Sequence, residues 1–111
     1  MAAQKEIWFC QLDPVRGSEQ AGLRPVVVVS GNTMNESLPV AIVCPLTTKI
    51  KRLPGCVVVK KSKTNGLTAD SEIIPFQIRS VSTTRLTRRL GAISDLELRT
   101  VFDGLRKALT L

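Results

Sequence analysis

Apolar positions along the first four-fifths of the chain fall in short runs with the two-residue period of strands. Residues 6–13 alternate, with Ile7, Phe9 and Gln11 on one side and Trp8, Cys10 and Leu12 on the other, and Pro14 ends the run. Residues 25–30 are an almost unbroken valine run, the pattern of a strand buried on both faces. Further strands are predicted at 40–47, 55–60, 70–81 and 87–93, with Pro75 marking an edge or bulge in the fifth. Turn-forming residues make 14–24, 31–39, 48–54 and 61–69 loops, the last with an Asn65-Gly66 turn signal. Ser82 is placed to cap a short helix through Leu86.

The period changes at Ser94. Ser94-Asp95-Leu96-Glu97 is a capping-box pattern, and Leu98, Val101, Phe102, Leu105, Ala108 and Leu109 follow at helical spacing. An amphipathic helix over 94–109 is predicted, its apolar stripe packed on the core. Many short strands and one terminal helix point to a mainly β fold, a small and strongly curved sheet or barrel. At 111 residues the chain has room for one core, so 1–111 is read as a single domain.

Charge adds a partner to this picture. Lys and Arg number 16 against 9 Asp and Glu, a formal net charge of +7, which suits a polyanion but equally a soluble basic surface. Apolar runs such as Val26 to Val29 are far too short to cross a membrane, and Met1 to Lys5 lack the apolar stretch of a signal peptide. A cytoplasmic chain without membrane contact is expected. The 3 cysteines, Cys10, Cys44 and Cys56, have no C-x-x-C spacing and read as buried small hydrophobes in strands.

The count of His is 0, which removes Ser-His and Cys-His hydrolases and two-histidine nucleases. Neither phosphate-binding glycine loop is present, and no acidic set of the two-metal kind stands out. Neither a metal nor a cofactor is expected. Two segments carry candidate chemistry. The loop from Arg16 to Arg24 sets Glu19 between two guanidiniums; Arg can hold a phosphate with a fixed fork of donors and Glu can accept a hydroxyl proton, although a salt bridge ordering the loop would look the same. At Cys44-Pro45-Leu46-Thr47-Thr48-Lys49 a strand runs into a basic loop, where threonine hydroxyls either donate to a phosphate or cap the strand end.

At these residues the chain resembles the MazF/PemK toxins. Arg16-Gly17-Ser18-Glu19-Gln20-Ala21-Gly22-Leu23-Arg24-Pro25 after Asp13-Pro14 is similar to the family's first loop. Residues 41–48, Asp70-Ser71, Gln77-Ile78-Arg79-Ser80, Arg85-Leu86 and Gly91 continue the likeness in the same order. The resemblance implies an SH3-like barrel of the CcdB/PemK kind, a homodimer, and an mRNA interferase of a type II toxin–antitoxin system. The implied reaction cleaves single-stranded RNA at specific sequences through the ribose 2′-hydroxyl, leaving a 2′,3′-cyclic phosphate and a 5′-hydroxyl without a metal. It implies catalytic roles for Arg24, as acid and phosphate stabiliser, Thr47, which steadies the phosphate, and Glu19, as base or RNA contact. RNA contacts are implied at Ser18, Gln20, Thr48, Lys49, Gln77 and Arg79. It also implies an antitoxin, with an acidic disordered tail suited to a basic partner, through which alone operator DNA is reached.

One departure stands out. Some PemK-like members carry an Asp just before the late-strand Gln and use it as the base; here that position is Phe76, which transfers no proton. The base is open between Glu19 and Arg24, whose pKa is high for the task. The lysines at 49–52 and 60–63 are expected to flank an RNA groove or simply aid solubility. With aromatics at 4% and no Tyr, base readout is expected to rest on hydrogen bonds. The alternative is a non-catalytic module on the same fold, such as a gyrase-targeting CcdB-like protein.

Overall fold

Many short strands predict a small, strongly curved sheet or barrel, and a computed structural model, which describes residues 1–12 and 22–110, contains one seven-stranded sheet. Strands β1 (Glu6–Gln11), β2 (Leu23–Val28), β3 (Val40–Thr47), β4 (Val57–Val59), β5 (Ser71–Ile73), β6 (Arg79–Ser82) and β7 (Leu86–Ala92) are joined by helix α1 (Asn32–Ser37) and followed by helix α2 (Asp95–Leu109). The ladder runs β4-β5-β3-β2-β1-β7, with β6 also on β3. All these pairings are antiparallel.

The valine run behaves as predicted. Val27 enters an apolar cluster with Ile7, Cys44, Ile73, Leu98 and Val101, beneath α2. Val26 and Val28 enter a second cluster with Cys10, Ala41, Val43 and Val81 on the other face. Burial pushes the Cys44 thiol up to about 12, in keeping with a small hydrophobe. Cys56 differs from the expectation: it is half-buried and precedes β4 rather than lying in it.

The ladder itself does not close between β4 and β7. The gap is spanned where the loop after β4 meets β7, with Ala92 N–H donating to Thr64 O at 3.0 Å. Close approach requires glycine on both sides: a Cβ on Gly91 would lie 2.3 Å from Thr64 O, and one on Gly66, at φ +70°, would lie 2.0 Å from Leu90 O.

Two expected segments differ. The predicted loop at 31–39 contains α1, because Asn35 is buried and anchors it: its Nδ2 donates to Ser30 O at 2.9 Å, and Ser30 Oγ donates to Asn35 Oδ1. The predicted strand at 70–81 is β5 and β6 separated by a 3-10 turn, Pro75–Gln77. Leu46 pairs with Ile73 and Val43 with Arg79, so five residues on one side face two on the other. Pro75 has no N–H for the ladder, and the surplus residues bulge out of it.

The capping box of α2 is complete, with Glu97 N–H donating to Ser94 Oγ at 3.1 Å and Ser94 N–H to Glu97 Oε1 at 2.8 Å. Its buried face is Leu98, Val101 and Gly104. Phe102, Ala108 and Leu109 lie exposed, so the stripe is narrower than its apolar residues suggest.

Glu6 ties the chain start to the edge strand. Its carboxylate accepts from Ala3 N–H at 2.8 Å, Trp8 Nε1 at 3.1 Å and Arg89 Nε at 2.7 Å. Burial pushes this carboxyl up, but those bonds outweigh it and hold its pKa below the ordinary 4.5. A depressed carboxyl stabilises the fold above its unfolded pKa and loses that contribution as pH falls through the folded value. Acid titration of unfolding is therefore expected to show Glu6→Gln less acid-sensitive than the native chain below pH 4.5; identical acid curves would contradict it.

Candidate active site

The β2–β3 register builds the site. Val26 pairs with Pro45, Val27 with Cys44 and Val28 with Val43. The ladder ends at Val26 and Pro45, and Arg24 and Thr47 lie two residues beyond that pair, each on its own strand. Beyond the buried valines, Arg24 is exposed at the start of β2. The Thr47 hydroxyl accepts from Lys49 N–H at 3.1 Å, which leaves its own proton to donate elsewhere.

Both residues line a groove of about 570 Å³ bounded by β2, β3, β5, the bulge and the basic loop. Lys49, Gln77 and Arg79 line it too, the glutamine raised into place by the bulge. Thr48 lies in an adjoining depression that shares Arg24, Thr47 and Lys49 with the groove. Five expected residues are thus brought together, with a sixth beside them. Ser18, Glu19 and Gln20 lie outside the described residues. The described residues on either side, Leu12 and Gly22, are joined by Leu12 N–H to Gly22 O at 2.6 Å, and Leu12 lines the groove. Arg85 steadies this junction, donating to the carbonyls of Gln11 and Leu12, each at 3.1 Å. Lys60, Lys61 and Lys63 line neither depression; their loop packs on β7 instead.

Sequence reasoning missed Glu72. Its side chain is 1% exposed on a three-residue strand and also lines the groove. One oxygen accepts from Lys51 N–H at 2.8 Å and the other from Leu53 N–H at 3.2 Å, so a buried carboxylate holds the basic loop. Strand alternation does not mark it, since all of β5 is buried. Glu72→Ala is expected to cost about 2–3 kcal/mol, because two charge-assisted bonds go and both N–H groups lose their partner. Urea unfolding measures this, and a change below about 0.5 kcal/mol would show that the loop holds itself.

Against one buried carboxylate the groove sets Arg24, Lys49, Lys51 and Arg79, a surface made for phosphates. Among the described residues no three Cys, Asp or Glu side chains gather in a metal-holding arrangement.

A family model described as PemK-like, MazF-like toxin of type II toxin-antitoxin system matches residues 3–109. The chain belongs to this family. Endoribonuclease MazF of Staphylococcus saprophyticus is 35% identical over all of this chain and 93% of its own length. Endoribonuclease MazF9 of Mycobacterium tuberculosis is 37% identical over all of this chain and 98% of its own. Among solved structures, a mycobacterial endoribonuclease in complex with its cognate antitoxin superposes with a TM-score of 0.81 at 22% identity, covering 100% of this chain and 97% of that one. A MazF from Deinococcus radiodurans superposes at 0.80 and 22% identity, covering 99% and 97%. At that identity the structures speak for the MazF fold, and the mainly β architecture with a C-terminal helix agrees with it. The non-catalytic, gyrase-directed alternative is not favoured.

Proposed function

We propose that this MazF-like chain is the toxin of a type II toxin–antitoxin pair and a metal-independent endoribonuclease that cuts single-stranded mRNA at specific sequences. The observation that carries the mechanism is that Arg24 and Thr47 line one cationic groove. The RNA backbone lies along Lys49, Lys51 and Arg79. The scissile phosphate sits between Arg24 and Thr47, whose guanidinium and hydroxyl donate to its non-bridging oxygens as charge builds in the pentavalent transition state. The 2′-oxygen attacks phosphorus, the bond to the 5′-oxygen breaks, and that oxygen takes up a proton that Arg24 orients or relays. A cyclic phosphate and a 5′-hydroxyl result. Glu19 is the candidate to accept the 2′-hydroxyl proton. Ser18, Gln20, Thr48 and Gln77 contact the RNA.

The reading further includes one domain over 1–111, a homodimer, action in the cytoplasm, and an antitoxin that occupies the same groove with an acidic disordered tail and through which alone operator DNA is reached. No helix is long and apolar enough to cross a membrane among the described residues. The test is incubation with a long single-stranded RNA in excess EDTA, with the ends mapped. Discrete cuts with 5′-hydroxyl ends are expected. Cuts that vanish in EDTA would overturn the metal-free mechanism, and no cuts by folded, antitoxin-free protein would overturn the activity.

A further inference from the structure

Phe76 stands where some PemK-like relatives carry an aspartate base, and the residue is 51% exposed. We propose that Phe76 is a stacking platform for one base of the RNA in the groove, a specificity contact that rests on the function proposed above.

Three observations carry it. The ring lines the same groove as Arg24, Thr47, Gln77 and Arg79, so a strand with its phosphates on those cations has bases within the ring's reach. The bulge that presents the ring is fixed: Ile74 N–H donates to Pro45 O at 3.0 Å, Gln77 N–H to Ile74 O at 3.1 Å and Ile78 N–H to Pro75 O at 3.0 Å, and Pro75 is buried. A ring held on such a turn needs little ordering when a base arrives. Its neighbour Gln77 supplies an amide able to bond a base edge beside a stacked face, the pairing by which unstacked RNA bases are read. The other three described aromatics are engaged elsewhere: Trp8 Nε1 donates to Glu6, Arg88 lies 5.9 Å from the centroid of Phe9, and Phe102 is on α2. A single ring thus adds stacking to a site otherwise limited to hydrogen bonds and charge.

The competing role is structural, since Phe76 also borders a shallow depression with Pro54, Gly55 and Gly104. Leucine at 76 would keep that cover and lose the stack, whereas tryptophan would keep both. The experiment uses an RNA carrying the mapped cut site, with 2-aminopurine placed at each position in turn and a 2′-deoxy ribose at the cut so that it binds uncleaved. Quenching at one position is expected with the native chain and Phe76→Trp, and its loss with Phe76→Leu. On cleavable RNA, Phe76→Leu should raise KM roughly tenfold with kcat nearly unchanged, because stacking aids binding and moves no proton. Native quenching and KM in Phe76→Leu would overturn the stacking contact while leaving the nuclease intact. A lowered melting temperature in both variants with native quenching would assign the ring to packing alone. A native chain that neither binds nor cuts RNA would overturn the nuclease and the contact together.

Discussion

Arg24→Ala is expected to lower RNA cleavage by about 10²–10³-fold, the loss that follows removal of one transition-state donor. The melting temperature should barely move, because Arg24 is exposed at the open end of β2 and the buried Val26 to Val28 that hold the strand are untouched. RNA binding should weaken much less than kcat falls, since Lys49, Lys51 and Arg79 still meet the backbone. Arg24→Lys separates charge from geometry: an ammonium restores attraction to the phosphate but not the two-pronged fork, so its rate should lie between the two. Single-turnover cleavage, with circular dichroism as the fold control, gives the answer. A folded Arg24→Ala protein cutting within threefold of the native rate would remove Arg24 from the chemistry and leave the groove a binding surface.

The strands that position Arg24 and Thr47 were legible because their signals are local. Five adjacent apolar residues from Pro25 to Val29, and the apolar run from Val40 to Leu46, each carry their own evidence of burial, and β3 matches its predicted bounds. Ser94 and Glu97 sit three apart, so the start of α2 was equally readable. What was not legible depends on partners distant in sequence. Glu72 became part of the site only because the chain at Lys51 and Leu53 folds back over β5. Gln77 reaches the groove through a bulge whose size depends on two registers against β3, and Pro75 alone gives the place of the break but not its extent. The lysines at 60–63 looked like those at 49–52 by charge, and only the packing of 64–66 against β7 separates them from the groove.

Gly104 offers a test in which sequence and structure predict opposite signs. A glycine inside a helix costs about 1 kcal/mol relative to alanine, so by propensity Gly104→Ala should stabilise α2. In the fold, however, Gly104 is on the buried face, and a Cβ there would stand 2.1 Å from Gly55 O and 3.0 Å from Pro75 Cγ. Gly55 has a φ of +82°, on the same segment as Leu53, whose N–H is already held by Glu72. That carbonyl is backbone and cannot swing aside as a side-chain tip would, so α2 must lift away or the loop must move. Overpacking of this kind, at the upper end of about 1–3 kcal/mol, exceeds the propensity gain, and Gly104→Ala is expected to lose about 1–2 kcal/mol net. For a domain of this size each lost kcal/mol lowers the melting temperature by roughly 4–8 °C. Cleavage should fall as well, because the displaced elements are those that carry Leu53, Phe76 and Gln77 into the groove. A rise in melting temperature would mean that α2 does not approach Gly55 this closely, and the groove wall would then need another support.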